Sequence, residues 1–233
     1  SLFTGALRWL AHAYTPKTDR VLCIGMGAGV VPMQFASDGI ETDVVEINGA
    51  SISMAEEFFD FDESQVNLTV GDGRQFLNQT DRTYDAILLD AFLGDSSPSH
   101  LMTHEAFVEM RAHLSDHGAL VINSFGESNP ERQFFSSSLD KTLRSVFGPE
   151  RVIVHASGYG NVFFVATKAP QIKVHRSPEP DPDAGKRLRE AKSERQICHK
   201  KPSDKSENKI GVKQRCRKKK KKKSVDKRGD SRG

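Results

Sequence analysis

The sequence predicts an α/β protein: a doubly wound, mostly parallel sheet of seven strands with an antiparallel edge strand, followed by a disordered basic tail. Three observations predict it. Short apolar, β-branched runs alternate with helix-spaced segments through the first 170 residues, which implies parallel pairing through helical crossovers. The first such run enters a glycine turn, Gly25-Met26-Gly27-Ala28-Gly29, that opens a helix. Charge then divides the chain. Residues 171–233 hold 23 of the 34 Lys and Arg and 9 of the 31 Asp and Glu, a net of +14. Residues 1–170 hold the other 11 and 22, a net of −11. The expected domains are 1–170, long enough to bury a sizeable core, and 171–233, too poor in large apolar residues to offset its ordering entropy.

The elements follow in order. Leu2 to Ala13 has apolar residues at helical spacing, and Thr15-Pro16 ends it. Arg20 to Gly25 is too short for a helix and reads as a buried strand. Ala28 to Ser37 reads as a helix, Thr42 to Ile47 as a second strand, and Ala50 to Phe59 as a helix with Met54, Phe58 and Phe59 inward. Val66 to Val70 is a third strand, Gly71-Asp72-Gly73 a turn, and Arg74 to Leu77 the start of a short helix. Tyr84 to Asp90 is the fourth strand. Thr103 is an N-cap for a helix to Leu114, with Phe107, Met110 and Leu114 on one face. Ala119 to Phe125 is the fifth strand. Asn129-Pro130-Glu131 combines cap, N1 proline and first-turn acid for a helix ending near Phe147-Gly148-Pro149. Arg151 to His155 and Asn161 to Lys168 are two β runs joined by a link short enough for a hairpin-like return, which adds the antiparallel edge. The whole is Rossmann-like in its alternation.

Composition excludes several classes. No stretch of about 18 apolar residues exists, so no transmembrane helix is expected. Three cysteines in 233 residues cannot make a disulfide framework, and the expected compartment is the reducing cytoplasm. Ser1 already lies in helical spacing, as in a fragment of a longer chain. Beyond Pro170 come P-E-P-D-P-D, a stiff polar spacer, and Lys218 to Lys223, six consecutive lysines. Such a tail either contacts nucleic acid or an anionic surface weakly, through counterion release, or only solubilises.

The candidate site is assembled from strand ends. Glycines at 25, 27 and 29 permit a tight turn and let backbone N–H groups approach a ligand, with the positive end of the next helix behind them. Glu46 ends the second strand 21 residues after Gly25, the place of an acid that bonds ribose hydroxyls. G-x-G-x-G without a further glycine favours an adenosyl ligand without pyrophosphate. Asp72 can accept from an adenine amino group, with Gly73 letting the backbone pass the ring. Asp85 reads as structural. Asp90 follows five apolar or small residues and lies where ligands of such sheets bind. His100 with His104, and His113 with His117, are four apart; with no third ligand they read as surface or capping residues rather than metal ligands.

These motifs resemble a family. V-L-C-I-G-M-G-A-G, V-V-E-I-N, V-G-D-G-R-Q-F-L and Y-D-A-I-L-L-D-A-F look like successive motifs of the spermidine synthase (polyamine aminopropyltransferase) family, which has the class I S-adenosylmethionine methyltransferase fold. The resemblance covers about residues 1–168. It implies that Gly25, Gly27 and Gly29 hold the aminopropyl or amino acid end of the co-substrate, Glu46 the ribose, and Asp72 with Gly73 the adenine. Asp90 would be the catalytic acid that orients and deprotonates the attacking amine. Ala28 stands where the family has an Asp for the aminopropyl ammonium, and the family's second acid is either displaced to Asp95, as a substrate-binding residue, or lost.

The function so implied is transfer of an aminopropyl group from decarboxylated S-adenosylmethionine to a small-molecule polyamine amine, without metal. Two alternatives stay open: a methyltransferase using S-adenosylmethionine itself, and a non-catalytic adenosyl-ligand-binding or scaffold protein. A homodimer is left open as the assembly.

Overall fold

The computed structural model describes residues 2–91, 98–125, 130–156 and 161–176. The elements are α1 (Leu2–Tyr14), β1 (Arg20–Ile24), α2 (Val30–Ser37), β2 (Glu41–Glu46), α3 (Gly49–Phe59), β3 (Asn67–Val70), α4 (Gly73–Gln79), β4 (Tyr84–Leu89), α5 (His104–Ala112), β5 (Leu114–Phe125), α6 (Pro130–Phe147), β6 (Val152–Ala156) and β7 (Asn161–Thr167). They build one seven-stranded sheet of order β3-β2-β1-β4-β5-β7-β6. Strands β1 to β5 pair in parallel, and β7 runs antiparallel to both β5 and β6. The expected doubly wound sheet with an antiparallel edge is therefore present, with β7 inside and β6 at the rim. Burial explains that order: β7 is apolar on both faces, whereas β6 alternates buried and exposed residues.

Both faces of the sheet are covered, and β1 shows how. Val21 and Cys23 join a core with Leu7 and Leu10 of α1, Phe35 of α2 and Ile52 of α3. Leu22 and Ile24 join a second core with Leu77 of α4, Phe107 and Met110 of α5, and Leu143 of α6. The period-2 alternation of a strand thus serves two apolar layers at once, so β1 is apolar throughout.

Helix α3 departs from expectation. It buries Ile52 and Ala55, while Met54, Phe58 and Phe59 are 56%, 63% and 52% exposed. The sequence offers two apolar stripes, 52/55 and 54/58, and the sheet takes the one with small Ala55. Asp60 then adopts a left-handed conformation at φ 60°, and Phe61 returns into the core that an inward aromatic of α3 was expected to fill. Helix α5 ends at Ala112 rather than Leu114, because Leu114 starts β5 paired with Tyr84 of β4 and the His113 carbonyl accepts from the Tyr84 N–H.

The amino end of β4 is pinned by polar contacts. Asp43 of β2, 3% exposed, accepts from Tyr84 Oη at 2.7 Å, Asn67 Nδ2 at 2.7 Å and Arg82 Nη1 at 3.0 Å. Burial and the bond to Asp43 push the Tyr84 phenol well above its ordinary value. Asp85 accepts from the backbone N–H groups of Asp19 and Arg20 and from Ser115 Oγ, the structural role expected of it. Past β7, Ile172 packs on the α1-side core and the His175 N–H donates to Ala13 O at 2.7 Å. Among the described residues no helix is long and apolar enough to cross a membrane.

Tyr84→Phe removes one of three donors to a buried carboxylate without opening a cavity. It should cost about 1–3 kcal/mol of stability, read as a lower urea midpoint at unchanged slope. An unchanged midpoint would show that Arg82 and Asn67 hold Asp43 without it.

Candidate functional site

The sheet reverses its winding at β1. β2 and β3 lie to one side and β4 to the other, and the crevice outside their carboxyl ends is where ligands of such sheets bind. A crevice lies there, lined by Gly25, Gly27, Glu46, Asp72, Gly73 and Asp90, with Ile47, His100 and Leu101 among its other walls. Six of the expected site residues thus converge. Gly29 does not line the crevice: it caps α2 at φ 73°, and a Cβ there would stand 2.5 Å from Phe61. Asp95 lies outside the described residues.

Gly25 is the tightest point. Its N–H donates to Val45 O at 2.8 Å, and the Asp90 N–H donates to Ile24 O at 3.0 Å. Its φ is 81°, and a Cβ would meet Asp90 O at 2.5 Å and Ala91 Cα at 2.8 Å. Only glycine tolerates both conditions. The turn therefore brings β2, β1 and β4 together at one level.

Glu46, 7% exposed, is held by the backbone it serves. Its Oε2 accepts from the Met26 N–H at 3.0 Å and its Oε1 from the Asn48 N–H at 2.9 Å. One carboxylate thus ties the glycine turn to the entry of α3. Each oxygen keeps a second acceptor site, and a carboxylate fixed in this way is preorganised to take a diol.

Asp72 is the N-cap of α4. Its Oδ1 accepts from the Arg74 and Gln75 N–H groups at 3.0 and 2.9 Å, and its Oδ2 meets His100 Nε2 at 2.7 Å. Burial opposes ionisation of Asp72, but the Gln75 N–H, His100 and the Arg74 N–H outweigh it and hold the carboxyl below its usual range. His100 is exposed, in keeping with a surface or capping histidine, and its bond to the N-cap carboxylate places it at one wall of the crevice. Among the described residues no group of three or more His, Cys, Asp or Glu could hold a metal ion.

Asp90 follows β4 and is pushed above the usual carboxylate range by burial, against which the Asn123 amide works. Asn123 Nδ2 donates to Asp90 Oδ1 at 2.8 Å, and Asn161 Nδ2 donates to Asn123 Oδ1 at 2.8 Å. A half-buried carboxyl raised above its ordinary value, with a hydrogen-bonded partner, is suited to accept a proton. Sequence reasoning missed Asn123 and Asn161. The signal for Asn123 was present, an amide closing the apolar run A-L-V-I beside the strand that carries Asp90. Asn161 gave none, because its meaning depends on which strand lies next to β5.

Comparison with known proteins shows what the chain is similar to. The chain is 38% identical over 141 residues to a polyamine aminopropyltransferase of Vibrio vulnificus (strain CMCP6), covering 58% of this chain and 46% of that protein. It is 29% identical over 190 residues to an N-terminal histidine N-methyltransferase of Emericella nidulans, covering 75% of this chain and 33% of that protein. The chain thus spans less than half the length of either relative. The solved spermidine synthase of Thermotoga maritima shares the fold, with a TM-score of 0.59 at 18% identity over 71% of this chain and 59% of that one. The family model for the spermine/spermidine synthase domain matches residues 7–175, from α1 through the last strand of the sheet and on past Ile172. By that match the chain belongs to the spermine/spermidine synthase domain family.

Proposed function

We propose that this domain transfers an aminopropyl group from decarboxylated S-adenosylmethionine to the amine of a polyamine, with Asp90 as the catalytic acid–base residue. The observation that carries this reading is the half-buried Asp90 carboxyl, bonded to the Asn123 amide, in the same crevice as Glu46 and Asp72. The similarity to the Vibrio aminopropyltransferase supports it. In this reading Glu46 takes the ribose hydroxyls, Asp72 faces the adenine amino group, and the turn at Gly25 and Gly27 lets the aminopropyl end pass. Asp95 is proposed to hold the acceptor's distal amine.

The chemistry follows from charge. A polyamine nitrogen is protonated near neutral pH and has no lone pair to offer. Asp90 accepts its proton, and the neutral nitrogen attacks the carbon next to the sulfonium. The new N–C bond forms as the C–S bond breaks, its electron pair staying on sulfur, and methylthioadenosine leaves. The sulfonium supplies the driving force, so the protein contributes position and one proton acceptor.

Glu46→Gln places an amide nitrogen against one of two backbone N–H groups and weakens the diol site. Calorimetry should show methylthioadenosine binding weaker by about 1–3 kcal/mol. Unchanged affinity would remove Glu46 from the nucleoside site.

Asp90→Asn should leave nucleoside binding nearly intact and lower turnover with putrescine by about 10²–10⁴-fold. Full activity would reject the mechanism. Methyl transfer from S-adenosylmethionine in the parent, with no aminopropyl transfer, would replace the function with the methyltransferase reading. The same variant should be more stable than the parent near neutral pH. Folding raises the Asp90 pKa, so the stability it contributes is complete below the unfolded value and is lost as pH rises through the folded one. The gap in melting temperature should close as pH falls below the ordinary carboxylate range.

The basic tail is proposed as a region apart from the fold, able to contact anionic surfaces. Removing residues 177–233, past the His175 contact, should leave the melting temperature within a few degrees. A collapse of the fold on removal would show that the tail is part of it.

A further inference from the structure

We infer that Asn123 and Asn161 form a two-amide positioning chain that fixes which oxygen Asp90 presents to the amine. The inference rests on the reading of Asp90 as proton acceptor and adds the residues that make it one. Leu89 pairs with Ile122 across β4 and β5, so Asp90 and Asn123 stand side by side one step beyond. Asn123, 8% exposed, donates its amide N–H to Asp90 Oδ1. Among the described residues it is the side-chain partner of that carboxylate.

An amide can sit in two ways, related by a flip. One turns its NH₂ to Asp90; the other turns its carbonyl oxygen there, against a carboxylate oxygen. The ionised carboxylate, which only accepts, selects the first, and Asn161 reinforces that choice. Its NH₂ donates to Asn123 Oδ1 at 2.8 Å and holds that oxygen on the β7 side. The register permits this because β7 lies directly against β5: Asn123 faces Phe163, and Asn161 lies two residues away on the same side of β7. The donor order runs Asn161 to Asn123 to Asp90. Among the described residues Oδ1 is occupied, and Oδ2 is left to take the proton.

Other titratable groups surround this carboxyl. Glu46 approaches from the end of β2, Asp72 from the start of α4 and His100 from the turn before α5. Cys23 lies below on β1, and burial with the charge of Asp90 pushes its thiol up. None of the hydrogen bonds described for these groups reaches the Asp90 carboxylate. Losing the Asn123 donor therefore removes the one bond, among the described residues, that favours the ionised form, and burial then acts unopposed by it.

The test uses the full chain labelled with ¹³C-aspartate, with the Asp90 carboxyl signal assigned from its loss in Asp90→Asn. Asn161→Asp is nearly isosteric but replaces the donor by an acceptor, so the Asn123 amide should turn over and offer its carbonyl to Asp90. The Asp90 titration midpoint should rise by about one pH unit or more. Asn123→Leu should do the same, and Asn161→Gln, which keeps the donor, should remain closer to the parent than Asn161→Asp. In the putrescine assay the acid limb of the kcat/KM profile should move upward with the NMR midpoint, leaving activity recoverable at higher pH. A parent-like midpoint in Asn161→Asp, with the melting temperature unchanged, overturns the inference. The two failures are separable. Full activity in Asp90→Asn rejects Asp90 as the base, whereas an inactive Asp90→Asn beside an unshifted Asn161→Asp rejects only the amide chain.

Discussion

The crevice depends on the absence of one side chain. Gly25 lies where the backbones of Val45 and Asp90 close on the end of β1, with no room for a methyl group against the Asp90 carbonyl. That close approach places the carboxyl ends of β2, β1 and β4 within one ligand's reach. Glu46, Asp72 and Asp90 come from three different stretches of chain, and they meet because the sheet closes over a glycine. Any larger residue would have to push β4 away and take the Asp90 carboxyl with it.

The carboxylates of the crevice also hold the fold. Glu46 ties the glycine turn to the start of α3, and Asp72 caps α4. A group already bonded to fixed N–H donors loses little freedom when a ligand arrives, which is how a site becomes preorganised. The same economy limits substitution, because exchanging such a residue disturbs a turn as well as the ligand contact proposed for it. Asp90 differs. It caps no helix, and its one described side-chain bond is to the Asn123 amide of β5.

Strand β4 separates the two kinds of demand along its length. At its amino end Tyr84 and Arg82 satisfy the buried Asp43, and Asp85 ties down the starts of β1 and β5. At its carboxyl end Asp90 is left with burial that opposes its charge. Electrostatic satisfaction at one end supports dissatisfaction at the other, and a carboxyl raised above its ordinary value is what a proton acceptor near neutral pH requires.

The sequence by itself determined whatever depends on near neighbours in the chain. The alternation of apolar runs and helical spacing set the order of elements. The glycine turn, the acid 21 residues on, Gly71-Asp72-Gly73 and the acid after Y-D-A-I-L-L are local motifs, and the chain places them in one crevice. Tertiary structure decided what depends on distant neighbours. Which stripe of α3 faced inward depended on the fit of Ala55 to the sheet and on Phe61 returning past Gly29. His100 met Asp72 across 28 residues, and Asn161 met Asn123 across 38. The last pairing exists because β7, apolar on both faces, takes the inner place beside β5 and leaves half-exposed β6 at the rim. Periodicity and turn chemistry are written locally, but a side chain's partner across a sheet is fixed only when burial has chosen the order of the strands.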